Sequence, residues 1–480
     1  MNTRHFVEKG ESMPDTNLCF MPATQLAAAI RTKQASPVEV VHAVLAQIDR
    51  LNPQLNAFCL VTADAARQAA QAAEQAVIRG ETLGPLHGVP VSIKDLVITK
   101  GVRTMRGSKL YEHDVPTEDA PVVERLKAAG AIILGKTTTP EFGFKGVTDS
   151  VVTGISRNPW NLDRTPGGSS GGAGAAVATG MGPLAVGTDG AGSVRIPSSF
   201  CGIYGLKPHV GRVPVFPASA TGDLSHVGPM TRTVRDAALM LNTIAGADDR
   251  DRFSLPTSHP DYLKAVEGDI RGLRVAWSAD LGFAIVDPQV RQITAEAVKA
   301  FSALGCEVEE TNPGFDHPGE LFQHFFYVNI GAMLRDYPVY ESKIDPQLLA
   351  NITEVQGISG RDYARSILRR GAIFEKIRRV FATYDVLLCP TVAVPPFEVS
   401  IEGPTQIAGR PVDRRAWIVM TPLFNLTGQP AATVPCGFTS DGLPIGLQIV
   451  GRRFDEATVL RASAAFEAVR PWAHKRPPIG

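Results

Sequence analysis

The residues best suited to chemistry in this chain are serines set among glycines and a lysine set among apolar side chains. Gly167-Gly-Ser169-Ser170-Gly-Gly172 places two serines between glycine pairs. Gly187-Thr-Asp189-Gly190-Ala191-Gly192-Ser193 ends a run of small residues on another serine. Upstream, Leu86-His-Gly-Val-Pro-Val-Ser-Ile-Lys94-Asp95 carries a lysine in an apolar setting. A serine hydroxyl is a weak nucleophile until a base takes its proton. A lysine near its ordinary pKa of ~10.4 is protonated at neutral pH and cannot be that base. Burial disfavours the ammonium form and lowers the pKa, which is what an apolar setting offers Lys94. Dense glycines leave backbone N–H groups uncovered, and N–H groups ahead of a serine can meet the charge that develops on an attacked carbonyl oxygen. Taken singly, each feature has an ordinary reading: a lysine at a strand end, or a flexible Gly-Ser loop.

The surrounding sequence must position these groups. Residues 1 to about 20 read as a loose tail, and 21–480 as one large α/β domain. Ser36-Pro37-Val38-Glu39 is a capping box with proline at the first helical position. An Ala-rich helix runs from about Thr62 to Arg79, and the short apolar run before Lys94 predicts a strand. Ala120 to Gly130 reads as a helix and Ala131 to Thr137 as a buried strand, the rhythm of a parallel sheet. Asn158 to Gly211 is glycine-rich and little of it reads as regular structure. Further on, Gly272–Trp277 and Asp385–Cys389 read as strands, and Pro288–Leu304 as a helix. Ala432–Phe438 and Ile445–Gly451 read as strands flanking the turn Ser440-Asp441-Gly442.

Familiar motifs match here and fail on context. Gly130-Ala-Ile-Ile-Leu-Gly-Lys136-Thr137 satisfies the phosphate-binding expression G-x-x-x-x-G-K-[ST]. Its intervening residues form a strand preceded by a helix, the reverse of what a phosphate loop needs, so nucleotide binding is the weakest function class. Gly167-Gly-Ser169-Ser-Gly171 satisfies G-x-S-x-G, but the loop-like Asn158–Pro166 precedes it instead of a strand. No S-x-x-K occurs anywhere in the chain.

Composition narrows the class. With 44% hydrophobic and 20% charged residues, 480 residues can bury a sizeable core without disulfides or metal. Lys plus Arg and Asp plus Glu are 48 each, a balance that favours neither nucleic acid nor an anionic membrane. The basic stretch Arg365–Arg379 reads as the solvated face of a helix. Six scattered cysteines argue for reduced thiols and against a zinc site. The N-terminal residues lack the apolar core of a signal peptide, and Gly171–Thr188 would make a poor membrane helix. A cytoplasmic protein without cofactor is expected, with a homodimer as the default assembly.

Together these features resemble the amidase signature family. The resemblance rests on Val91-Ser-Ile-Lys94-Asp95, on Gly167–Gly172 and on Thr188-Asp189-Gly190-Ala191-Gly192-Ser193-Val-Arg195-Ile-Pro197. It continues through Phe200–Pro208, Val227–Arg232, Phe424–Gly428 and Gly442–Gln448, and so covers about residues 20 to 465. It implies an α/β fold with a mixed, mostly parallel central sheet covered by helices. It also implies a Ser-cisSer-Lys triad: Ser193 attacks an amide carbonyl, Ser169, after a cis bond from Gly168, relays the proton, and neutral Lys94 is the base. The oxyanion hole would be the N–H groups of Gly190, Ala191, Gly192 and Ser193, with Ser170, Asp189 and Arg195 in support. Many members carry Gly-Gly-Ser where this chain has Ala191-Gly192-Ser193, and alanine retains the N–H.

The implied activity is hydrolysis of a small amide through an acyl-enzyme by a stand-alone enzyme. The runner-up is the glutaminase subunit of a tRNA-dependent amidotransferase. Such subunits usually carry Leu-Asp-Gln before Ile-Gly-Pro, where this chain has Leu224-Ser225-His226 before Val227, and their R-Y-G segment has no counterpart here. Specificity is expected from Arg212–Ser225 and from 315–345, with Phe216, His226 and Trp417 as candidate pocket walls. The apolar Val213–Ala220 favours an aryl or aliphatic amide over a charged one.

Overall fold

A computed structural model of the chain describes residues 16–257, 259–335 and 340–479. The helix Pro37–Leu55 opens on the expected capping box. Ser36 Oγ accepts from the N–H groups of Val38 (3.0 Å) and Glu39 (3.4 Å), and Glu39 Oε2 accepts from the Ser36 N–H. The helix Ala63–Arg79 ends on Gly80, whose φ of 73° lets the chain turn away. Residues 16–20, assigned to the tail from sequence, form a helix that buries Cys19, because Thr16–Phe20 packs on Pro37–Leu55. Residues 1–15 lie outside the described residues.

An eleven-stranded sheet runs through the described chain. Its order is Phe58–Val61, Ile132–Thr137, Pro90–Lys94, Leu184–Asp189, His226–Thr231, Tyr204–Lys207, Ala431–Phe438, Pro444–Gly451, Val386–Pro390, Arg274–Trp277 and Glu307–Glu310. The sheet is mixed, as expected, but antiparallel pairings outnumber parallel ones six to four. The parallel pairs lie where the helix–strand alternation was read, towards the two ends of the sheet. Between them the chain reverses without that alternation, and the hairpin of Ala431–Phe438 with Pro444–Gly451 turns at Gly442, where φ is 82°.

The glycine-rich segment 158–211 is far more regular than its composition suggests. It holds the helices Gly171–Ala178 and Arg195–Cys201 and the strands Leu184–Asp189 and Tyr204–Lys207, all almost entirely buried. Tertiary packing overrides propensity here. A Cβ at Gly172 would lie 2.4 Å from the Ala57 carbonyl oxygen, and one at Gly174 would lie 3.1 Å from Cys201 Sγ, so small residues are needed to pack this helix closely. Among the described residues no helix is long and apolar enough to cross a membrane, and no two cysteines are joined in a disulfide. Arg365–Arg379 lies within the helix Gly360–Thr383, whose arginines 365, 369, 378 and 379 are exposed.

Candidate active site

Lys94 ends the strand Pro90–Lys94, third in the sheet order, which is paired on both sides and buried along its length. Parallel strands covered on both faces read as continuous apolar runs, which is why the lysine is preceded by Val-Ser-Ile. Lys94 is 0% exposed, and Nζ lies 2.6 Å from Ser169 Oγ and 2.9 Å from Thr188 Oγ1. Burial pushes the Lys94 pKa well below its ordinary value, and the Asp189 carboxylate only partly opposes that. Ser169 follows a cis bond from Gly168. Ser170 Oγ donates to the Thr188 carbonyl oxygen at 3.2 Å, tying the serine loop to the strand that leads to Asp189.

The loop after Leu184–Asp189 folds back on the carboxylate that precedes it. Asp189 Oδ1 accepts from Gly192 N–H at 2.7 Å and Oδ2 from Val194 N–H at 3.2 Å. Arg195 completes the clamp, with further bonds to the Thr421 carbonyl oxygen, Gln448 Oε1 and Asn425 Oδ1. These contacts tie the loop to the buried Asp189–Arg195 pair. They also engage one of the four N–H groups expected in the oxyanion hole. The Gly192 N–H is already committed to Asp189, whereas those of Gly190, Ala191 and Ser193 make no hydrogen bond among the described residues. Gly192 has φ of 119°, and a Cβ there would lie 2.3 Å from Thr421 Oγ1.

Two cavities flank this loop. One, of about 260 Å³, is lined by Ser193, Ala191 and a largely apolar wall that includes Phe144, Phe322, Tyr327 and Trp417. The other, of about 170 Å³, is lined by Ser169, Thr188, Gly190 and Phe216, among others. Trp417 and Phe216 are thus wall residues, one in each cavity. His226 is not. It lies buried beneath the loop, its Nδ1 within 2.8 Å of the Leu224 carbonyl oxygen and 3.1 Å of that of Asp189, because its strand pairs it with Asp189. Both segments expected to carry specificity do supply walls, 214–221 to the smaller cavity and 317–327 to the larger. Residues 336–339 of the second segment lie outside the described residues. Sequence reasoning missed Gly143–Gly146 and most of 413–422. Their only signal was the family-like Phe424-Asn-Leu-Thr-Gly428 that follows the latter.

Gly130–Thr137 proves to be the end of a helix followed by a sheet strand. Lys136 is fully buried and donates to the Val97 carbonyl oxygen and to Thr104 Oγ1 (3.0 Å), so it has no reach to a phosphate.

The Amidase family pattern matches residues 39–460. The chain is 42% identical to an acylamidase of Rhodococcus erythropolis over 476 residues, covering 97% of this chain and 98% of that protein. It is 37% identical to a glutamyl-tRNA(Gln) amidotransferase component of Chloroflexus aurantiacus over 488 residues, covering 96% and 99%. Its fold is similar to that of a bacterial aryl acylamidase, with a TM-score of 0.90 at 34% identity over 95% of this chain and 97% of the other. A 6-aminohexanoate cyclic dimer hydrolase gives 0.88 at 31%, over 96% and 99%. Matched from residue 39 to 460 and similar to such proteins along nearly all its length, this chain belongs to the amidase signature family and is an amide-hydrolysing enzyme.

Proposed function

We propose that this enzyme is a stand-alone acylamidase that cleaves small aryl or aliphatic amides through an acyl-enzyme on Ser193. Ser193 Oγ attacks the carbonyl carbon, its proton passes to Ser169 Oγ, and the Ser169 proton passes to Lys94 Nζ. The N–H groups of Gly190, Ala191 and Ser193 meet the charge on the carbonyl oxygen. The C–N bond then breaks as the nitrogen takes a proton back through Ser169, and the amine leaves. Water attacks the ester, gives its proton to the same relay, and the acid departs with Ser193 restored.

The observation that carries this reading is the 2.6 Å contact between Ser169 Oγ and a fully buried Lys94 whose pKa burial depresses. A base that is neutral at working pH and touches a hydroxyl is what the first proton transfer requires. The acylamidase relative and the largely apolar cavity beside Ser193 support the substrate class. We place the enzyme in the cytoplasm, as cysteines without disulfides suggest, acting without cofactor or nucleic acid and forming a homodimer.

The test is to quench turnover of an anilide and weigh the active-site peptides. The expected result is an acyl adduct on the peptide carrying Ser193. An adduct on Ser169 would overturn the assignment.

The amidotransferase relatives favour a second reading, a glutaminase that works only with partner proteins. Glutamine hydrolysis that appears only with ATP and those partners, with no turnover of simple amides, would select it.

A further inference from the structure

The two cavities share Gly143 and Phe326 as wall residues. Phe326 lies on the helix Gly319–Leu334, which crosses both. Phe322 and Gln323, earlier on the helix, face the cavity of Ser193, while Ile330 and Met333, later on it, face the cavity of Ser169. The spacing from 322 through 326 and 330 to 333 keeps one helical face over the reactive loop. Phe326 is the residue at the crossing. A Cβ built on Gly190 would lie 3.4 Å from Phe326 Cε2, so the ring edge stands directly over the loop that carries the oxyanion donors. The ring is held in place by stacking on Phe322, with centroids 5.1 Å apart, and is 5% exposed. From below, Gly143 passes so close to Ser169 that a Cβ there would lie 2.9 Å from Ser169 Oγ.

The chemistry assigns the two spaces. After attack, the acyl carbon stays bonded to Ser193, which faces the larger cavity. The leaving nitrogen must collect a proton from Ser169, which faces the smaller one. We propose that Phe326 is a specificity-determining partition that seats the acyl chain on the Ser193 side and the leaving amine on the Ser169 side. This rests on the Ser193 acyl-enzyme reading above.

Two substrate series and the amides that combine them test it: anilides with a lengthening acyl chain, acetamides with a growing amine, and amides bulky on both sides. All are measured on the wild type, Phe326→Ala and Phe326→Leu. In the wild type, penalties for acyl bulk and amine bulk multiply independently. In Phe326→Ala the bulkiest members of both series gain at least about tenfold in kcat/KM relative to the smallest, mostly through KM, and the penalties cease to multiply. Phe326→Leu shifts in the same direction by less, and it decides the matter if the alanine variant does not fold. A common fall of both series, with the rank order of substrates kept, overturns the partition while leaving the acyl-enzyme intact. Turnover by Ser193→Ala equal to that of the wild type overturns the underlying reading instead.

Discussion

Arg195 grips Asp189 through both carboxylate oxygens, Nε to Oδ2 at 3.0 Å and Nη2 to Oδ1 at 2.9 Å, with neither side chain exposed to solvent. Burial alone would raise the Asp189 pKa, but the guanidinium beside it reverses the sign and holds the carboxyl far below its usual range. The same carboxylate takes the Gly192 and Val194 N–H groups, so the ion pair fixes the backbone that presents Ser193.

Breaking that pair should therefore cost both stability and rate. Arg195→Lys removes the fork and leaves a buried carboxylate poorly paired, which costs about 3–5 kcal/mol. A shift of the loop of ~1 Å lowers kcat about 100-fold. Chemical denaturation and steady-state kinetics check this, and wild-type stability in the variant would contradict it. The folded-state pKa of Asp189 lies below its unfolded value of 3.8, so its contribution is full well above that value. It is lost as pH falls below 3.8, where the unfolded carboxyl takes up protons and the folded one does not.

Lys94 shows linkage of the same sign at higher pH, because its pKa is also lowered in the folded state. Its folded pKa lies well below 10.5, so between the two values the unfolded state binds a proton that the folded state lacks. Stability should rise with pH across that window in the wild type relative to Lys94→Met. Activity should rise with pH along an acid limb whose midpoint lies well below 10.5, as the lysine becomes neutral. Lys94→Met should lower kcat by at least about 100-fold, the lower end of what a positioned base contributes. A wild-type acid limb near the ordinary lysine pKa would sink the neutral-base assignment.

The two small residues ahead of Ser193 should behave differently. Gly192→Ala drives a Cβ to 2.3 Å from Thr421 Oγ1 at a φ of 119°, and Thr421 itself donates to the Ala191 carbonyl oxygen at 2.6 Å. We expect a loss in kcat of about 100-fold or more as the donors move out of line. Ala191→Gly keeps its N–H, and its kcat should stay within about threefold of the wild type, given glycine's free backbone. Equal tolerance at both positions would contradict this geometry.

Trp417 forms a wall of the larger cavity, is 1% exposed, and stacks on Phe200 with centroids 5.6 Å apart. Trp417→Ala should cost about 3–5 kcal/mol of stability and raise KM for small acyl groups. A thermal melt and a KM comparison between short and long acyl chains read both effects. Unchanged melting would show that the ring is not part of the packed wall.

The strand that ends on Lys94 was legible as a short apolar run, and Ser169 and Ser193 stood out by their glycine frames, but their joint assignment came from the resemblance to the amidase signature family and not from those local patterns. The helix Gly171–Ala178 was illegible because glycine and alanine carry no apolar periodicity, and its reason for forming lies in contacts with Ala57 and Cys201. Nor could the sequence say that the Asp189 carboxylate curls back to take the Gly192 N–H, since that depends on a turn of four residues. Phe326 and Trp417 reach the same cavity from segments about ninety residues apart, and only the chain path brings them together. His226 could not be placed from sequence, because its position beneath the loop is set by the pairing of its strand with that of Asp189.

The most direct test of the central claim is amine release from a panel of aryl and aliphatic amides by the purified chain alone, without ATP or partners. It should be measured beside Ser193→Ala. Turnover by the wild type, and none above background by the variant, is the expected result. Equal release by both proteins would show that Ser193 is not the nucleophile and would contradict the proposed mechanism at its root.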